Sequence, residues 1–139
     1  MLYPIAIERG DDRHAFAVTV PDIPGCFSAG ETLEEALANA REAIEGHLSV
    51  LADDSDDIPL ASSIEECLQR HPELATAVYI WAVVELDVSR YLGKAEKINV
   101  TLPGRLIHKI DQRVAGSGQY KTRSGFLAAA AEYLLQRAG

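Results

Sequence analysis

Little in this 139-residue chain points to disulfide or metal chemistry. Its two cysteines, Cys26 and Cys67, are too few for the disulfide framework of a small secreted domain, and both are expected as small buried or half-buried side chains. His14, His47, His71 and His108 have no Cys or His beside them at metal-ligand spacing. No apolar run approaches the ~18–20 residues of a membrane span. The longest, Ala75 to Val84, is short and interrupted by Thr76. Met1-Leu2-Tyr3-Pro4 lacks the charged start and long apolar run of a secretory signal, so a cytoplasmic location without membrane contact is expected. There is no internal repeat and no low-complexity tract.

Charge is plentiful and unevenly spread. The net charge is −8, but residues 1–93 hold 5 Lys/Arg against 18 Asp/Glu, a formal −13, and residues 94–139 hold 8 Lys/Arg against 3 Asp/Glu, a formal +5. Such asymmetry implies different partners for the two halves. The acidic part would be repelled by nucleic acid; the basic part, doubled in a dimer, would be drawn to it by phosphate neutralisation and counterion release. The carboxylates do not form a nuclease site on paper. A two-metal centre needs carboxylates clustered on adjacent strands, with ions about 4 Å apart. Asp53, Asp54, Asp56 and Asp57 share one loop, Glu8, Asp11 and Asp12 lie at a hairpin tip, and Glu85 and Asp87 share one strand face. The aspartate-rich loop also lacks the central Gly and terminal Glu of an EF-hand. These clusters read as solvated loops; no catalytic residue, metal or cofactor is expected.

Hydrophobic periodicity orders the elements. Leu2–Glu8 reads as a strand, 9–12 as a polar turn, and His14–Val20 as the second strand of a hairpin. A Pro21–Gly25 loop leads to a third strand, 26–30. Thr32-Leu33-Glu34-Glu35 is a capping box. It opens a long helix whose Leu33, Ala36, Leu37, Ala40, Ile44, Leu48 and Leu51 form one apolar stripe. A second helix runs from Ser62-Ser63 to about Arg70-His71-Pro72. Residues 77–87 are β-prone and apolar enough for the centre of a sheet, and Val88–Glu96 reads as linker.

The segment Lys97-Ile98-Asn99-Val100-Thr101-Leu102-Pro103 alternates polar and apolar with period two. Lys97, Asn99 and Thr101 lie on one face; Ile98, Val100 and Leu102 lie on the other. Pro103 ends it, and helices are expected over 104–115 and about 123–137. A strand and two helices in about 45 residues cannot bury a core alone. Two copies could pair their strands into an antiparallel ribbon backed by four helices, with a core of Ile98, Val100 and Leu102. Such a ribbon fits a major groove. Residues 97–137 resemble the ribbon-helix-helix repressors, the group of Arc and MetJ. That resemblance implies base reading by Lys97, Asn99 and Thr101. It also implies phosphate contacts from Lys121, Thr122, Arg123 and Ser124, where a helix start favours an anion.

The N-terminal part carries Asp22-Ile23-Pro24-Gly25-Cys26-Phe27-Ser28, then Gly30 and Thr32, then Glu35-Ala36-Leu37 and Asn39. It resembles the HicB antitoxin family, whose members often carry a ribbon-helix-helix tail. The resemblance implies an α+β fold: a partial RNase H-like β-β-β-α-α-β domain over 1–90, a linker over 91–96, and a β-α-α domain over 97–139. It implies a non-enzymatic antitoxin of a type II system that blocks a small basic HicA-like mRNA-cleaving toxin. It further implies repression of its own operon by binding double-stranded operator DNA as a homodimer, or as a homotetramer if two dimers join. An acidic domain would suit a basic RNA-binding toxin. The competing reading is a ligand-sensing ribbon-helix-helix repressor with no toxin partner, which the missing His/Cys ligand set disfavours.

Overall fold

The computed structural model describes residues 1–138. It separates into two compact units, Met1–Gly93 and Lys94–Gly139. The first unit is built on one four-stranded sheet: β1 (Leu2–Glu8), β2 (Phe16–Thr19), β3 (Phe27–Gly30) and β4 (Tyr79–Glu85). The order is β3-β2-β1-β4 and every pair is antiparallel. The β1–β2 hairpin is therefore as the alternation suggests. Its second strand starts only at Phe16, because Asp11 caps the turn. One Asp11 carboxylate oxygen accepts from the backbone N–H groups of Arg13 and His14 at 2.7 and 2.8 Å.

β4 departs from expectation. It is an edge strand paired only with β1, not a central one. Its apolar content is explained by what covers it from the two faces. Ile80, Ala82 and Val84 point with Tyr3, Ile5, Ile7 and Val18 into the main core. On the other face, Trp81 donates its indole N–H to the Leu74 carbonyl at 3.2 Å.

The main core lies between the sheet and α1 (Leu33–Asp53). The Thr32 hydroxyl caps α1 by accepting from the Glu35 N–H at 3.1 Å. Ala36, Ala40, Ile44 and Leu48 are fully buried, each four residues from the last along one helix face. Gly30 permits this close packing: a Cβ there would lie 2.3 Å from the Ala36 nitrogen, so any side chain would push α1 off the sheet. The Asn39 amide then donates to the Ala29 carbonyl at 2.8 Å, tying helix to strand.

The opposite face of the sheet is covered only in part. Alternation and register place Phe27, Thr19, Ala6 and Trp81 in one cross-strand row there, and Ala29, Ala17, Glu8 and Tyr79 in the next. Pro4 and Ala6 on this face are fully buried. With the Trp81–Leu74 bond, this places α2 (Ile64–Arg70) and the 3-10 turn Pro72–Leu74 over that region. Two ties hold the covering segment. The buried Asp22 carboxylate accepts from the Ser62 N–H, the Ser62 hydroxyl and the Arg70 guanidinium, each at 2.7 Å. The Tyr3 hydroxyl donates to the Pro59 carbonyl at 2.6 Å. Both cysteines are buried and free, and burial pushes the Cys26 thiol pKa up.

The stretch read as linker from Val88 begins later. Val88 and Tyr91, three apart across the 3-10 turn Ser89–Tyr91, are buried in the main core. Their spacing puts both side chains on one side of the turn.

The second unit consists of α3 (Gly104–Gly116) and α4 (Arg123–Ala138). The strand expected over 97–102 is not one in the single chain: no residue from Leu92 to Pro103 has a ladder partner. A strand exists through the hydrogen bonds of a neighbour, and this segment finds none among the described residues.

Two outcomes test the first unit. Asp22→Ala should lower the unfolding free energy by about 2–4 kcal/mol in urea, because it orphans the Ser62 donors and unties α2. A loss comparable to that of an exposed-carboxylate control such as Asp53→Ala would reject the tie. Burial, reinforced by the Asp22 charge, raises the Tyr3 pKa from 10.0 to about 12. The folded state therefore resists losing this proton more than the unfolded chain does. Stability from this source is complete below pH 10 and is lost as pH climbs from 10 to 12. Thermal melts across that window should show a decline that Tyr3→Phe diminishes.

Candidate functional site

The residues singled out from the sequence for nucleic-acid contact fall in the second unit, and what surrounds them is mostly solvent. Pro103 precedes α3 with φ −55° and ψ 137°, an extended conformation that turns the chain directly into the helix. Before it, Lys97, Asn99 and Thr101 are exposed. So are Ile98, at 75%, and Val100, at 60%; Leu102 is half-buried. Among the described residues of this unit, Ile110 alone is buried. Leu106, Tyr133, Leu134 and Leu135 add further exposed apolar surface. A fold of this size with one buried side chain lacks the apolar burial that offsets chain entropy. The exposed Ile98 and Val100 mark where burial is missing.

The four phosphate candidates are not equivalent. Thr122 precedes α4, and its hydroxyl accepts from the Gly125 N–H at 3.0 Å, so it serves as the helix cap. Arg123 is already engaged. Its Nε and one terminal nitrogen donate to the two Asp111 carboxylate oxygens at 3.0 and 2.8 Å, a bidentate pair linking α4 to α3. The pairing holds the Asp111 carboxyl below the usual range and raises the Arg123 pKa. Both partners are about half exposed, at 52% and 48%, so the pair is open to exchange with another anion. Lys121 and Ser124 are exposed beside it. Tyr120 packs edge-on against Phe126, with ring centroids 5.2 Å apart, and fixes the approach to α4. Reading residues one by one missed Asp111. Its signal was a lone carboxylate on the first helix, placed to meet the first cation of the second across a short turn.

In the first unit, among the described residues, no three or more His, Cys, Asp or Glu side chains gather where a metal could be held. The hairpin carboxylates Asp11 and Asp12 line an open polar cleft of about 310 Å³ with Arg13, His14 and Glu31. Asp11 is occupied by the turn it caps and by the His14 ring at 2.9 Å. No helix among the described residues is long and apolar enough to cross a membrane.

The family model described as "HicB_like antitoxin of bacterial toxin-antitoxin system" matches residues 3–131, from β1 into α4. The chain belongs to the HicB-like antitoxin family. Among solved structures, the Burkholderia pseudomallei antitoxin HicB is similar to this HicB-like chain at 46% identity. The match covers 97% of this chain and 98% of that one, with a TM-score of 0.70. A chain of the solved HicA3 and HicB3 toxin-antitoxin complex is 32% identical, covering 63% of this chain and 99% of its own length, with a TM-score of 0.51. An uncharacterized 14.9 kDa protein from the rep-hol intergenic region of Haemophilus phage HP1 is 47% identical over 128 residues, 92% of each chain. The mixed sheet-and-helix architecture is thus that of known HicB structures.

Proposed function

We propose that this HicB-like chain is a two-part antitoxin. Residues 1–90 bind and neutralise a small basic, mRNA-cleaving toxin of the HicA type. Residues 97–139, joined through 91–96, form a ribbon-helix-helix dimer that represses the chain's own operon. The toxin half is supported by family membership, by the similarity to a chain of the HicA3–HicB3 complex, and by the −13 charge of residues 1–93. The trimmed RNase H-like description of the sheet belongs to this reading, with the sheet acting as a binding scaffold rather than a nuclease.

The observation that carries the DNA half is the incomplete second unit. Ile98 and Val100 stand in solvent next to helices with a single buried residue. Pairing 97–102 with the same segment of a second copy would give these side chains, with Leu102, a shared core. It would also satisfy the strand's unpaired backbone groups. Lys97, Asn99 and Thr101 would then project together from a two-stranded ribbon of major-groove width, with donors suited to base edges. Lys121, Ser124 and the α4 start would face phosphates. Arg123 would join them by exchanging Asp111 for a phosphate, and Thr122 would contribute by shaping the helix start.

Val100→Asp tests the assembly directly: a carboxylate in the shared core should abolish self-association and binding to the chain's own upstream DNA. Toxin binding should persist, because residues 1–93 hold their own core. Loss of both activities in a folded variant would refute the two-part design. Base reading is tested at Asn99, where Asn99→Ala should weaken operator binding by roughly 1–3 kcal/mol and random-DNA binding far less. Equal losses would make Asn99 a positioning residue. For the exchange at Arg123, Arg123→Ala should reduce the salt slope of DNA binding by about one phosphate contact. Asp111→Asn should tighten binding to operator and random DNA alike, and unchanged affinities would show that Arg123 stays with Asp111 on DNA.

A further inference from the structure

We propose that the uncovered part of the sheet face turned away from α1, centred on Phe27, is the surface on which the cationic toxin docks. This inference rests on the antitoxin reading above and assigns it a place. α2 and the 3-10 turn cover the face only around Pro4, Ala6 and Trp81. Beyond them Phe27 is 65% exposed, the neighbouring Ala17 and Ala29 are exposed, and Leu2 and Val83 are about half exposed at the other end. An aromatic ring beside small side chains on a regular sheet suits a protein partner: the ring offers large apolar area with few torsions to immobilise, and the alanines leave room for an approaching element. The backbone beneath is firmly placed. The Val20 N–H donates to the Cys26 carbonyl at 3.2 Å, closing the loop just before Phe27, and Asn39 holds the Ala29 carbonyl.

Charge decides between occupants. No Lys or Arg stands at an outward position of any of the four strands, whereas Glu8 and Glu85 both do. A second copy presenting the same face would bring carboxylates against carboxylates, in units that each carry −13. Like-charge contact of that kind opposes association. A partner with a cationic rim around an apolar patch meets none of this repulsion and gains electrostatic steering. That is the surface expected of a small protein built to hold RNA phosphates.

The test is calorimetric titration of the full-length chain with the purified, inactivated HicA-type toxin that the antitoxin reading places in its operon. Phe27→Ala and, independently, Ala29→Arg are compared with Val50→Ser, an exposed apolar truncation on α1. Both replaced side chains on the sheet face are exposed, so melting temperatures should be retained; if one variant misfolds, the other carries the test. Each sheet-face variant should bind roughly 30-fold more weakly, and Val50→Ser should bind within about twofold of the parent. Glu8→Lys should slow association and flatten its salt dependence. If the parent chain binds the toxin and the sheet-face variants bind equally well, the docking face is wrong and the antitoxin reading stands. If the parent chain does not bind, the antitoxin reading falls and this assignment falls with it. Should Phe27→Ala change the oligomeric state in sedimentation while toxin affinity is unchanged, the face is a self-contact and the proposal is overturned.

Discussion

A carboxylate enters a protein interior only if donors meet it there, because burying an unanswered charge is prohibitive. Asp22 is met three times, by the two Ser62 donors and by Arg70. These groups lie 40 and 48 residues further along the chain. The β2–β3 loop and the segment from Ser62 to Arg70 are therefore fixed to each other. Tyr3, on the inner strand β1, holds the chain just before that segment, at the Pro59 carbonyl. On the far face the Asp22 contacts fix α2, the 3-10 turn after it reaches Trp81, and Pro4 and Ala6 are buried beneath. Without them the sheet would be a two-layer structure with one naked apolar side.

The second unit shows the opposite balance. Its helices are joined by the Asp111–Arg123 pair, with Tyr120 of the intervening turn packed on Phe126 of α4, and enclose a single buried side chain, Ile110. Contacts of this kind align two helices but contribute little net stability where solvent reaches them. In the proposed dimer, the free energy to order this unit would come from apolar burial shared between two chains.

Much of the first unit was legible in the sequence because its signals are local. The Thr32 cap and the three-four spacing from Leu33 to Leu51 define α1, and alternation around a polar turn defines the first hairpin. What the sequence concealed is non-local. The apolar run through β4 resembles a central strand, because composition records that both faces are covered and not that one edge is unpaired. Tyr91 looked like linker, since a single aromatic in a short turn has no periodicity to betray its burial. The partners of Asp22 and Arg123 lie too far along the chain for any window to join them. In the candidate site the same limit holds. The polar face of 97–101 could be named from alternation and 121–124 from the ribbon-helix-helix resemblance, but the engagement of Arg123 by Asp111 and of Thr122 by its own helix emerges only in the folded chain.

The strand order also bears on how the first unit behaves when concentrated. An edge strand offers a row of backbone donors and acceptors to any extended segment that approaches. The two edges here are unequal. β3 is four residues long and stops at Gly30, where α1 begins to crowd it. β4 runs for seven residues, YIWAVVE, with no proline, glycine or lysine and a single charge at its end. Such segments combine high β-propensity with little electrostatic protection, the signature of lateral aggregation. The acidic net charge of the unit then has a colloidal role as well: mutual repulsion keeps the β4 edges of neighbouring molecules apart, so high salt or low pH, by weakening that repulsion, removes the edge's main safeguard.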